Sequence, residues 1–323
     1  MLARTFVAWL AVPVAASLAV GPALAQNYPA RQIELVVPFV AGGTTDNIAR
    51  MLAQRFSDQW RQTVVVSNRP GGGSTIGTHA VAKATPDGHT LLVTTIGFAI
   101  TPALQKLPYD AVNDFAPVTE LASVPLVLVV HASVPAKTLP EFIALAKSQP
   151  GGLDYASSGT GTSPHLAAEM FCAMAGVRLV HVPFKGNAEG LNAMLGGHVK
   201  VYFALVPAVL QHVRAGTLRA LAVTTERRLA TLPDVPTIAE LGFPAYEITS
   251  WQGLLAPAGT PKDVVAKINA EAVAMLNAAD IRQRISQEGA DPVGSTPDAF
   301  AVRVKAEIAK WGKVVHEAGI GTQ

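Results

Sequence analysis

The 323-residue sequence holds a single cysteine, Cys172, so neither a disulfide framework nor a cysteine-based zinc site can form within the chain. Charge is scarce as well: 15% of residues are Asp, Glu, Lys or Arg, against roughly 25% in a typical soluble domain. With 25 Lys+Arg against 23 Asp+Glu, the net +2 leaves too few cations to follow a polyphosphate backbone, which excludes nucleic acid as a partner. None of the eight histidines falls in H-x-x-x-H or H-E-x-x-H spacing, so no metal-ligand set is visible. No G-x-G-x-x-G occurs, and no Lys-Ser or Lys-Thr follows the run Gly71-Gly72-Gly73, so dinucleotide and Walker-type chemistry lack their fingerprints. A serine-hydrolase elbow, G-x-S-x-G, is missing too: Gly72-Gly73-Ser74-Thr75-Ile76 lacks the closing glycine.

Apolar residues are plentiful. They make up 50% of the chain, which at this length supplies two cores, so two domains are expected. Met1 to Ala25 reads as a secretory signal: the charge of Arg4, an apolar stretch from Phe6 to Val20, a Gly21-Pro22 break, then Ala23-Leu24-Ala25. The stretch contains Pro13 and falls short of the ~20 residues that span a bilayer. Cleavage is therefore expected after Ala25, leaving a mature chain without stable membrane insertion, placed in the periplasm of a diderm bacterium. Hydrolysis, redox work, envelope building and ligand capture are the usual tasks there.

From Pro29 onward, short β-branched runs alternate with amphipathic windows. Ile33–Val37, Thr63–Val66 and Thr90–Thr94 read as strands, with Ile48, Met51, Leu52 and Phe56 at helical spacing and Ile76–Ala84 helical. That β-α-β-α-β order predicts a parallel sheet. A second set follows the strand-like run Val124–Val130: helices at Glu141–Ser148, Pro164–Ala175 and Ala188–Leu195, strands at Leu153–Ala156, Leu179–Val182, Val199–Ala204 and Leu218–Thr224. The tail reads as helix over Pro261–Asn277, Ala279–Gln287 and Thr296–His316. The fold class is α/β. With no Ser/Gly-rich linker between the parts, the expectation is two lobes joined by crossing strands, with a cleft at the strands' carboxyl ends.

Two loops suit an anion. Phe39-Val40-Ala41-Gly42-Gly43-Thr44-Thr45-Asp46 leaves a strand and enters a helix, with glycines that turn backbone N–H groups outward and Thr44 or Thr45 as the cap. Ser157-Ser158-Gly159-Thr160-Gly161-Thr162-Ser163-Pro164-His165 does the same in the second set, with Ser163 as N-cap. Ser74 and Thr75 are expected near the cleft. His165 and His181 could enter a catalytic triad on paper, but with no nucleophile elbow the residues argue against hydrolysis.

The ordered blocks Val37–Arg50, Asn68-Arg69-Pro70-Gly71, Pro86-Asp87-Gly88, Tyr155-Ala156-Ser157 to His165-Leu166, His181–Gly186, Leu232–Thr237 and Trp251 resemble the Bug family, the substrate-binding proteins of tripartite tricarboxylate transporters. The resemblance covers nearly all of the mature chain. It implies a two-lobed periplasmic-binding-protein (Venus flytrap) fold, each lobe a mostly parallel sheet flanked by helices. The implied division is 26–125 with 250–323 in lobe 1 and 126–249 in lobe 2.

It also implies a non-catalytic protein, most simply a monomer, without cofactor or metal. Such a protein delivers a small organic carboxylate to membrane permease subunits. The carboxylate-holding roles fall on Gly42, Gly43, Thr44, Thr45 and Asp46 and on Ser157 through Ser163, with Thr94, Thr95, Ala204 and Leu205 as side walls. Ala204-Leu205-Val206 offers no side chain to receive an ammonium group, so an acid with an uncharged, partly apolar body is expected over an amino acid. A sensor module of the same fold and an exported hydrolase are the alternatives.

Overall fold

The structure, a computed structural model, describes residues 28–149, 151–287 and 289–317. The expected signal segment and its cleavage point lie outside the described residues. In chain order, the elements of the first lobe are β1 (Ile33–Val37), α1 (Thr44–Trp60), β2 (Val64–Asn68), α2 (Thr75–Ala82), β3 (Thr90–Thr95) and α3 (Gly97–Leu104). The long strand β4 (Phe115–His131) leads out of it. Then come α4 (Leu139–Ser148), β5 (Leu153–Ser157), α5 (Ser163–Ala175), β6 (Leu179–Pro183), α6 (Asn187–Leu195), β7 (Val201–Leu205), α7 (Val206–Arg214) and β8 (Leu218–Val223). The chain closes with β9 (Thr249–Pro257), α8 (Lys262–Asn277), α9 (Ala279–Gln287), the two-residue β10 (Asp291–Pro292) and α10 (Pro297–Glu317).

Strand order is β2-β1-β3-β9-β4-β7-β5-β6. The outer trios, β2-β1-β3 and β7-β5-β6, are parallel, as the alternating pattern predicts, because a helix returns the chain between their strands. The middle is antiparallel: β9 runs against β3 and β4, and β4 against β7 and β8. Each lobe is thus a mixed sheet with a parallel core. β4 pairs with β9 up to Pro125 and with β7 from Leu126, so a single strand carries the chain from one sheet to the other.

Helix α1 shows why the elements sit where they do. Ile48, Leu52 and Phe56 recur every four residues with Ala49 on the same face, and all are buried against the first sheet. Trp251 of β9 meets Phe300 of α10 edge-on, ring centroids 5.3 Å apart, tying the tail to the first lobe. Among the described residues no helix is long and apolar enough to cross a membrane.

Besides the two-residue β10, three elements escaped the sequence reading. In α3, Gly97 and Pro102 mimic a loop, yet the helix forms and packs against α10. In α7, Pro207 occupies the first turn, where a missing N–H costs nothing. Gly253 interrupts β9, and it is required there, because a Cβ would lie 2.2 Å from Phe300 Cζ.

Candidate functional site

The β1–α1 loop turns at Gly42, whose φ of +83° suits glycine, and hands over to Gly43 as N-cap of α1. The cap is Gly43 rather than Thr44 or Thr45, and no side chain satisfies the helix start. The first helical hydrogen bond runs from Asn47 N–H to Gly43 O, 3.0 Å, so the N–H groups of Thr44, Thr45 and Asp46 precede the ladder. The Asp46 side chain turns back into the loop. Its carboxylate accepts from Gly42 N–H at 2.9 Å, from Arg50 Nε at 2.8 Å and from Asn68 Nδ2 at 3.0 Å. Burial opposes its ionisation, but the hydrogen bonds from Arg50, Gly42 and Asn68 outweigh that and hold the carboxyl below the usual carboxylate range.

The β5–α5 loop is braced differently. Ser157 Oγ pairs with His181 Nε2 at 2.6 Å and accepts from Gly159 N–H at 3.1 Å. The Thr162 hydroxyl donates to Gly159 O at 2.6 Å, and Gly161 N–H donates to His165 Nδ1 at 3.2 Å. The His165 and His181 rings stack with centroids 4.2 Å apart. Burial pushes the His165 pKa down to about 3, helped by its histidine neighbour, and burial pushes His181 to about 4. Both are neutral at pH 7, which lets His165 accept the Gly161 proton. The N-cap of α5 is Thr162, one residue before the expected Ser163, again with no side-chain cap. Since Leu166 N–H makes the first helical bond and Pro164 has no N–H, Ser163 and His165 carry the unladdered donors.

These two helix starts face one pocket between the lobes, of about 20 Å³. Of the expected residues, Phe39, Gly43, Thr44, Thr45, Asp46, Thr95, Ser158, Thr162, Ser163 and Leu205 line it. Val40, Gly186 and Asn187 line it too and were not singled out. Gly186 is the N-cap of α6 and Leu205 that of α7, both without side-chain caps, so four helix starts open onto the same space. The signal for Gly186 was present: a glycine between strand and helix, as at Gly42-Gly43. No lysine, arginine or histidine is among the lining residues. Within the lining, the groups that favour an anion are helix ends, each worth about 0.3–1 kcal/mol to it and up to ~2 when partly buried.

The remaining expected residues sit elsewhere. Gly159 and Thr160 line a neighbouring recess of about 240 Å³ with Lys185, and Ser158 borders both spaces. Gly42 is outside the lining, and its N–H is taken by Asp46. The Thr75 hydroxyl accepts from Gln105 Nε2 at 3.0 Å. Thr94, next to Thr95 on β3, points to the opposite face and is fully buried. Ser157 and His165 are occupied with His181 and Gly161, as above. Gly161 packs against the other lobe, where a Cβ would lie 3.1 Å from Leu104 Cδ1. Ala204 is fully buried in the second core.

A larger groove of about 420 Å³ lies on the outer side of α1 against α9, but its Arg50 and Arg55 are paired with Asp46 and Glu271. The cleft is the better candidate on chemistry. Ser157 and His181, though hydrogen-bonded, lack the surroundings of a serine nucleophile and its base. The serine is fully buried, and among the described residues no carboxylate is hydrogen-bonded to the histidine.

Residues 48–320 match the family model described as the tripartite tricarboxylate transporter family receptor, TctC. The periplasmic binding protein BugD is 36% identical, with a TM-score of 0.88 over 92% of this chain and 100% of that one. An R. palustris protein solved with adipate is 39% identical, TM-score 0.87, over 90% and 98% of the two chains. MatC from Rhodopseudomonas palustris, with bound malate, is 34% identical, TM-score 0.85, over 89% and 100%. Fold and cleft together define a two-lobed periplasmic solute-binding protein. Within that class, the chain belongs to the TctC receptor family, to which the Bug proteins belong.

Proposed function

We propose that this protein captures a small organic carboxylate between its lobes in the periplasm and passes it, lobes closed, to the membrane subunits of a tripartite transporter. The observation that carries the reading is the convergence of uncapped helix starts from both lobes, α1 and α5 foremost, on a pocket without a cationic side chain. Helix ends and several hydrogen bonds of about 1 kcal/mol each, with apolar contact from Phe39 and Leu205, are enough for roughly micromolar affinity, near −8 kcal/mol. Closure follows because contacts from two lobes exist together only in the closed form, which the ligand therefore favours.

The relatives solved with adipate and with malate support an acid as the cargo class. Asp46 is the only carboxylate in the lining and is already engaged by three donors, one of them the Arg50 guanidinium, which leaves an ammonium group no free counter-charge there. The carboxylate therefore carries a body without an ammonium group. A thermal-shift panel of small acids beside their primary amides tests this: the melting temperature rises with acids and stays put with amides. Equal shifts from acids and amides contradict it.

A further inference from the structure

Two strand residues, Thr95 and Leu205, line opposite walls of the pocket, and strand register says which side chains share the face between them. In an antiparallel pair, residues directly opposite one another share a face, and so do residues two apart along a strand. Thr95, which lines the pocket, stands opposite Gln252 of β9. Ser250, two residues back, stands opposite Val124 of β4, and Leu126, two further on, stands opposite Leu205, the lining residue from the second lobe. An unbroken path on one face thus joins the two pocket walls, and its polar members between them are Gln252 and Ser250. Trp251 points the other way, onto Phe300.

Gln252 and Ser250 are fully buried and lie outside the pocket lining. Neither Nε2 nor Oε1 of Gln252, nor Oγ of Ser250, has a hydrogen-bond partner among the described residues. Buried polar atoms are nearly always paired, and an amide with both ends unpaired is destabilising unless something binds it. An amide and a hydroxyl side by side present donors and an acceptor together. A bare carboxylate satisfies only the donors, whereas a ligand hydroxyl, itself donor and acceptor, satisfies both.

Resting on the carboxylate reading above, we propose that Gln252, aided by Ser250, is a specificity-determining residue. It receives a hydroxyl group of the ligand while the helix starts hold the carboxylate, so the cargo is a hydroxycarboxylate.

Calorimetric titration of the mature protein with acids paired by a single hydroxyl, butyrate with 3-hydroxybutyrate and succinate with malate, reads this directly. The hydroxy acid of at least one pair binds about tenfold or more tighter than its deoxy partner. Q252L brings that preference down to about twofold or less, while its ligand-free melting temperature stays level or rises because an unpaired amide has been removed. S250A, the gentler variant, loses part of the preference and stands in if Q252L does not fold. Acids that bind with no hydroxyl preference, or a preference that survives both variants, overturn the assignment of Gln252 and leave the carboxylate reading standing. Amides binding where no acid does overturns the carboxylate reading as well.

Discussion

Val40 and Gly186 meet across the cleft, and a Cβ placed on Gly186 would lie 2.8 Å from Val40 Cγ2. The glycine is not there for its backbone, since its φ of 161° is extended and open to any residue. It is there for space between the lobes. Gly186→Ala therefore leaves each lobe intact but opposes closure, at a cost of about 1–2 kcal/mol, which weakens ligand binding roughly five- to thirtyfold. Val40→Ala in the same chain removes the obstacle and restores affinity. Titrations of the two single variants and the double variant give the cycle, and additive effects contradict the contact.

The Asp46 side chain braces the first anion loop from within. Asp46→Ala leaves Gly42 N–H, Arg50 and Asn68 without their shared acceptor, lowering stability by about 2 kcal/mol and loosening the turn that aims the Thr44 and Thr45 N–H groups. Asp46→Asn keeps an acceptor and loses less of both. Denaturant unfolding beside ligand titration checks the order wild type, Asn, Ala. An alanine variant that binds more tightly, because a negative charge has left the site, contradicts the bracing role.

Much of this was legible in the sequence, and what was not has physical causes. The periodicity of α1 and the β-branched runs of β1 and of Val127–Val130 in β4 announce themselves because they pack on one face or bury whole. Helix α3 and strand β9 do not, since Gly97, Pro102 and Gly253 are breakers in local terms and acceptable only against α10 and Phe300. At the site, glycines before a helix start mark Gly43 and Thr162–Ser163. The sequence cannot say which hydroxyls of the second loop face a ligand and which tie the loop to itself. Ser157 and His165 took the second course because His181, from β6, lies beneath them. Gln252 gave no signal at all, because its place opposite Thr95 exists only once β3 and β9 pair.

Acid weakens the second loop. His165 and His181 have pKa values of about 3 and about 4 in the fold, below the ordinary 6.5, so unfolding takes up protons as the pH falls through that window. Their contribution is present in full above pH 6.5 and is lost progressively toward pH 4, by about 1.4 kcal/mol per pH unit for a single group well inside the window. Asp46, held below the carboxylate range, adds a further loss at lower pH. His165→Asn, with an oxygen to accept from Gly161 N–H, flattens the pH 6.5 to 4 limb in chemical-denaturation profiles. An unchanged slope contradicts the assignment.

The central claim is that backbone N–H groups at helix starts, from both lobes at once, grip the acid. Amide nitrogen–proton NMR spectra of the mature protein, recorded as a bound acid is titrated in, observe those donors one by one. The account predicts large downfield shifts at Thr44, Thr45 and Ser163 together, saturating at one common concentration. Unmoved signals at those three positions, with binding reported instead by lysine or arginine side chains, would contradict it.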